Sequence, residues 1–176
     1  MKHITPLTLI VMSMIMLVTL SACGQIEATN DSQHIADAAA KIADFDLPAN
    51  FVPQFSAAMS GYTVAAYRGP NGPSHLFLIQ SEKEADGPEL EKMLKELAPG
   101  SSDPNTRMTV IENRKVTVRG QEVDMVVSEG TNSENIIYRQ ATVGFAGKGG
   151  PALLVFSETV ANWNQEAVDA FLQSVQ

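Results

Sequence analysis

Between residues 108 and 157 the chain holds five runs rich in Val, Ile and Thr, at 108–111, 115–119, 122–128, 136–145 and 152–157. Such residues favour a pleated backbone, because their branched or bulky side chains pack well across a half-buried sheet surface. The breaks between the runs, at Asn113-Arg114, Gly120-Gln121, 130–133 and 147–150, are turn-like and short. A parallel crossover needs roughly a dozen residues or more, so these runs are expected to pair antiparallel as a meander. One run stands apart: Ala152-Leu153-Leu154-Val155-Phe156 has no polar alternation and reads as a central strand covered on both faces.

Two further strand-like runs, 62–67 and 75–79, flank the turn-rich Gly69-Pro70-Asn71-Gly72-Pro73 and form an expected hairpin. Three helices are expected around the sheet. Asp31-Ser32 offers an N-cap, after which Ile35, Ala39 and Ile42 share one face, with Phe45 a turn further on and an end before Pro48. Asp86-Gly87-Pro88 opens a second helix whose Leu90, Met93, Leu94 and Leu97 form a buried stripe, closed by Pro99-Gly100. Its Glu89, Glu91, Lys92, Lys95 and Glu96 make a solvated face. A last helix over 164–175 turns Val168, Phe171, Leu172 and Val175 toward the sheet. The expected class is α+β, an antiparallel sheet meander flanked by helices.

The N-terminus carries a different signal. Met1-Lys2-His3 is a short basic start, 7–20 is almost wholly aliphatic or Met, and small residues then precede the chain's single cysteine. This three-part build is that of a secretory signal. Leu20-Ser21-Ala22-Cys23 resembles the lipobox of bacterial lipoproteins. That resemblance implies diacylglycerol on the Cys23 sulfur, cleavage before it and acylation of the new amine. An uncleaved transmembrane helix is the alternative, since 4–22 nearly matches the roughly 20 residues that a span needs. The expected organisation is a signal peptide over 1–22, a lipidated Cys23 with a tether over 23–31, and one α+β domain over 32–176. One buried acyl chain holds a protein only marginally, whereas two or three hold it firmly.

Beyond Cys23 there are 153 residues, enough for one domain that buries about 68–70% of its unfolded surface. With Lys2 removed, 11 Lys and Arg face 20 Asp and Glu, a net charge of −9. That balance lacks the basic footprint of a nucleic-acid or anionic-lipid binder. The acylated Cys23 leaves no thiol for a disulfide, a cysteine nucleophile or a cysteine metal site.

The segment Phe45-Asp46-Leu47-Pro48-Ala49-Asn50-Phe51, then a hairpin, a helix, a long meander and a closing helix with Phe171 and Ser174, resembles the PsbP/Mog1-like group. Asn50 stands where that group usually has Gly. The resemblance covers about 45–175 and implies an α/β/α sandwich around an antiparallel sheet. It also implies a non-enzymatic binding or assembly role, as in the actinobacterial lipoproteins of the group, with no shared catalytic residues.

Candidate chemistry is sparse. Gly144-Phe145-Ala146-Gly147-Lys148-Gly149-Gly150 misses the phosphate-loop spacing, because Thr142 stands where the first glycine would be and Gly149 follows the lysine. A hairpin turn accounts for it, and on that reading Lys148→Ala changes stability by no more than about 0.5 kcal/mol. His75, at a strand start, defines neither a triad nor a metal site by itself. The acids Glu82, Glu84, Asp86 and Glu89 lack the order of a calcium loop. Trp163 is either a staple for the last helix or a possible partner contact. The expectation is therefore a membrane-anchored envelope lipoprotein, not an enzyme, without metal or cofactor. It would bind an envelope protein partner or assist complex assembly, with no nucleic-acid role. A carrier of a small apolar ligand, or an envelope enzyme, is the alternative. Gly24 after Cys23, rather than Asp, points to the periplasmic face of the outer membrane if the host is Gram-negative.

Overall fold

A computed structural model of the protein describes residues 26–98 and 107–176. Eight strands form one antiparallel sheet: β1 (Glu27–Thr29), β2 (Val52–Met59), β3 (Tyr62–Arg68), β4 (His75–Ser81), β5 (Thr109–Val118), β6 (Gln121–Thr131), β7 (Ile137–Ala146) and β8 (Pro151–Thr159). Their spatial order is β1-β2-β3-β4-β8-β7-β6-β5. The chain thus lays down one edge inward to β4, leaves through a helix, and returns from the other edge to place β8 against β4. Three helices accompany the sheet: α1 (Ser32–Ile42), α2 (Gly87–Leu97) and α3 (Gln165–Ser174). The α+β class follows directly.

Side-chain alternation along the strands builds two cores. On one face Ala65, Leu76, Leu78, Met125, Val127, Val143, Leu154 and Phe156 meet Ile35, Ala39 and Ile42 of α1 and Val168, Phe171 and Leu172 of α3. On the other, Val64, Ala66, Phe77, Ile79, Leu153 and Val155 meet Leu90, Leu94 and Leu97 of α2. Strand β8, from Ala152 to Glu158, is buried along its whole middle, as its unbroken apolar run requires. The helix starts are capped as their sequences dictate. Asp31 accepts from the N–H groups of Gln33 and His34, Asp86 from Glu89, and Asn164 from Ala167. The Pro99-Gly100 stop lies outside the described residues, as do the signal segment and Cys23.

The structure departs from the sequence reading in three places. Strand β2 was not evident, because its Pro53, Ser56, Ala57 and Ala58 carry little strand propensity. It forms because β3 supplies its hydrogen-bond partners, and small side chains let α1 lie close. Residues 27–29 of the expected tether pair instead with β2, Glu27 opposite Ala58 and Thr29 opposite Ser56. The expected break at Asn113-Arg114 is absent. Strand β5 runs through it, and the irregularity is a bulge between Val110 and Glu112.

The segment after α1 is bound to the C-terminus. Phe45 meets Phe171 edge-on at 5.8 Å, the Asp46 N–H donates to Ser174 Oγ at 3.1 Å, and Asp44 and Gln176 exchange both backbone hydrogen bonds. Asn50 has φ of 66°, the left-handed region where Gly is favoured and Asn is the usual substitute.

Candidate functional site

The glycines of the β7–β8 hairpin are explained by what lies beneath them. Gln80 of β4 is buried, and its Oε1 accepts from the Gly149 N–H at 2.8 Å. A Cβ on Gly147 or Gly149 would collide with the Gln80 amide, and one on Gly150, at φ of 151°, with the Ser81 carbonyl. The hairpin therefore lies flat across β4, and the N–H groups of Gly147, Lys148 and Gly149 are committed to protein acceptors. Lys148 is likewise committed. Its N–H donates to the Ile42 carbonyl and its Nζ to the Ala40 carbonyl, and Nζ pairs with Asp44 at 2.6 Å. The expectation of a free surface lysine needs correcting: Lys148 caps the C-terminus of α1, where unpaired carbonyls attract a cation.

His75, Ser157 and Glu158 come together by residue type in a manner that suggests a hydrolase triad, with His75 and Ser157 directly opposite each other across β4 and β8. Their wiring is otherwise. Alternation places His75 and Ser157 on the α2 face with Phe77 and Val155, and Glu158 on the opposite face with Phe156. The Ser157 hydroxyl donates to the Pro73 carbonyl at 2.7 Å. Glu158, 7% exposed, accepts at one oxygen from Ser74 Oγ, Asn71 Nδ2 and the Thr159 N–H. These bonds pin the loop of residues 69–74 to β8. His75 stacks on Phe77, its Nδ1 has no hydrogen-bond partner, and burial pushes its pKa below the usual histidine value. Ser157 and Glu158 are thus bonded away from the imidazole, and the three side chains are not wired as a relay.

Two acids of the run, Asp86 and Glu89, are spent on local structure. Asp86 caps α2, and Glu89 accepts from the Tyr62 hydroxyl at 2.7 Å, which together with burial raises the tyrosine pKa. Among the described residues no group of His, Cys, Asp and Glu is arranged to hold a metal ion. Trp163 is half-buried, edge-on to Phe156 at 6.1 Å, with its indole N–H on Gln165 Oε1. It packs against the core at the start of α3.

Concave surfaces among the described residues include three. One, of about 800 Å³, lies between α1 and the β1–β2 edge and is lined by Ile26, Ala28, His34, Lys41, Ala58 and Thr63. A second, about 450 Å³, runs between α3 and β5, where Arg114 bridges Glu112 and Asp169. The third, about 540 Å³, is at the far end of β5, where Ile111 and Ile137 are about half exposed beside Arg107 and Glu129. Sequence reasoning missed all three, since each is assembled from segments distant in the chain. Among the described residues no helix is long and apolar enough to cross a membrane. No family model matches the chain, and a search of curated proteins finds no relative.

Proposed function

We propose that this protein is a lipid-anchored lipoprotein of the bacterial envelope whose domain works by binding, holding an envelope partner or assisting assembly of a complex without catalysis. The observation that carries this reading is Leu20-Ser21-Ala22-Cys23 at the end of an apolar run that begins after a basic start. The alternative use of 4–22, as a span, leaves that small-residue and cysteine sequence without a purpose. Tethering raises the effective concentration of a membrane-bound partner without any new contact, so a binding domain gains most from such an anchor.

The PsbP/Mog1-like resemblance adds support of a second kind. The two stretches that suggested it, 45–51 and the end of α3, touch through Phe45 and Phe171 and through Asp46 and Ser174, and Asn50 holds a glycine-like backbone conformation. Helices on both faces of the antiparallel sheet suit the sandwich that the resemblance implies. Outer-membrane placement on the periplasmic side follows from Gly24 if the host is Gram-negative.

The test is Cys23→Ser in the native host. The variant is expected to lose metabolic labelling by a fatty acid and to accumulate uncut precursor. Labelling that persists in the variant would end the anchor reading.

A further inference from the structure

The anchor reading has a geometric corollary, because the chain has little slack. Cys23 is four residues before Glu27, and Glu27 is already paired with Ala58 in the sheet. Four extended residues reach at most about 14 Å. A lipid on Cys23 would therefore hold one corner of the domain against the bilayer. That corner is where β1 begins, β2 turns into β3 through Ser60-Gly61, and β4 ends, the Glu82 N–H donating to the Gly61 carbonyl at 2.8 Å. Ile26, 58% exposed, projects there at the end of the leash. The remaining exposed apolar side chains on the strands are elsewhere. Val52 is at the other end of β2, opposite Arg68, and Val110, Ile111 and Ile137 are at the diagonally opposite corner, close to the β6–β7 turn. Five to six strand spacings of about 4.8 Å across, and some nine residues of about 3.3 Å along, put that turn roughly 40 Å from Glu27.

We infer that the corner made by Ile26, the Met59–Tyr62 turn and Glu82-Lys83 is the membrane-facing surface of the anchored domain, and that its partner is the bilayer surface. The inference rests on the lipid anchor proposed above. The domain cannot rotate this corner away, since the leash is shorter than the domain is wide. The contact is not electrostatic adhesion, because Glu27, Glu82, Glu84 and Asp37 outnumber the cations Lys83 and Lys41 around it. The leash sets the orientation, and Ile26 is the side chain placed to enter the interface. The apolar corner at Val110, Ile111 and Ile137 then faces the compartment.

Acylation blocks the only cysteine, so one introduced cysteine can be labelled uniquely in the full-length protein. Ser60→Cys marks the near corner and Glu134→Cys the far one, both at exposed turn positions. Each is labelled with a fluorophore and reconstituted in phosphatidylcholine–phosphatidylethanolamine vesicles containing a nitroxide-headgroup lipid. Quenching is expected to be several-fold stronger at position 60 than at 134. Inserting twenty Gly/Ser residues after Gly24, with an r.m.s. span of roughly 25 Å, should abolish the difference. Equal quenching at both positions in protein that floats with the vesicles overturns the orientation and leaves the anchor standing. Protein that fails to float, with Cys23 unacylated by mass spectrometry, overturns the anchor and the orientation together.

Discussion

The two halves of the eight-stranded sheet differ in how they meet solvent. Strands β3, β4 and β8 are covered on both faces, by α1 and α3 on one side and α2 on the other. In β5, β6 and β7, residues alternate between one buried face and an open polar one that carries Asn113, Lys115, Thr117, Asp124, Ser128 and Thr142. The open half has the longer strands, at 10, 11 and 10 residues against 7, 7 and 9, so backbone pairing does not favour the covered half. What differs is the apolar area removed from water per residue, which is the main source of folding free energy. The covered half should hold most of the stability, while the open half supplies surface.

The largest effect that could break this comparison lies at Leu154. It is fully buried in β8 between Leu78 and Val143, so there is no space into which its neighbours can collapse cheaply. Leu154→Ala is expected to cost about 3 kcal/mol, within the range for buried leucines. Val126→Ala, on the open face of β6 opposite Thr142, should cost less than about 1 kcal/mol. Chemical denaturation of the two variants measures both. Equal losses would mean that the open face is covered by something in solution.

The same contrast governed what could be read from the sequence. Strands β4 and β8 were legible because burial on both faces demands an apolar run, and β6 and β7 because a half-buried strand alternates. Strand β2 was not, since Pro53, Ala57 and Ala58 are selected by close packing rather than by strand propensity. Strand β1 is three residues long and exists only through its pairing with β2. The helix stripes and caps were legible because both are local signals. Of the candidate site, the lipobox is likewise local, which is why residues 20–23 could be named. The orientation of the domain could not be, because it depends on Glu27 being held beside Ala58, a contact across thirty-one positions of sequence.

A middle-sized effect is expected at the hairpin that joins the two halves. Gly144 and Gly150 lie at opposite ends of it. A Cβ at Gly144 meets nothing, whereas at Gly150 it meets the Ser81 carbonyl, on a backbone with φ of 151°. Gly150→Ala should cost about 2 kcal/mol from strain and collision, and Gly144→Ala should be neutral or slightly stabilising, because glycine inside a strand weakens it. Melting temperatures of the pair give the answer. A neutral Gly150→Ala would show that the hairpin does not lie tightly on β4, and the close seam between the halves would be lost with it.

The smallest expected effect separates two lysines that look alike as ion pairs. Lys148 meets Asp44 at 2.6 Å and Lys115 meets Asp124 at 2.9 Å, one on each half of the sheet. Lys115 and Asp124 are both more than half exposed, so water screens their attraction and ordering two long side chains offsets the gain. Lys148 is one-third exposed, and its ammonium also accepts the role of a C-cap by donating to the Ala40 carbonyl at the negative end of α1. Its partner Asp44 is well exposed, so the ion pair itself adds little, and the cap is the larger part. Lys148→Ala is thus expected to cost about 1 kcal/mol and Lys115→Ala less than about 0.5 kcal/mol. Raising salt should narrow the gap only slightly, because a hydrogen bond to a helix carbonyl persists when long-range attraction is screened. Identical losses that both vanish at high salt would reduce Lys148 to an ordinary surface charge and return the hairpin to a simple turn.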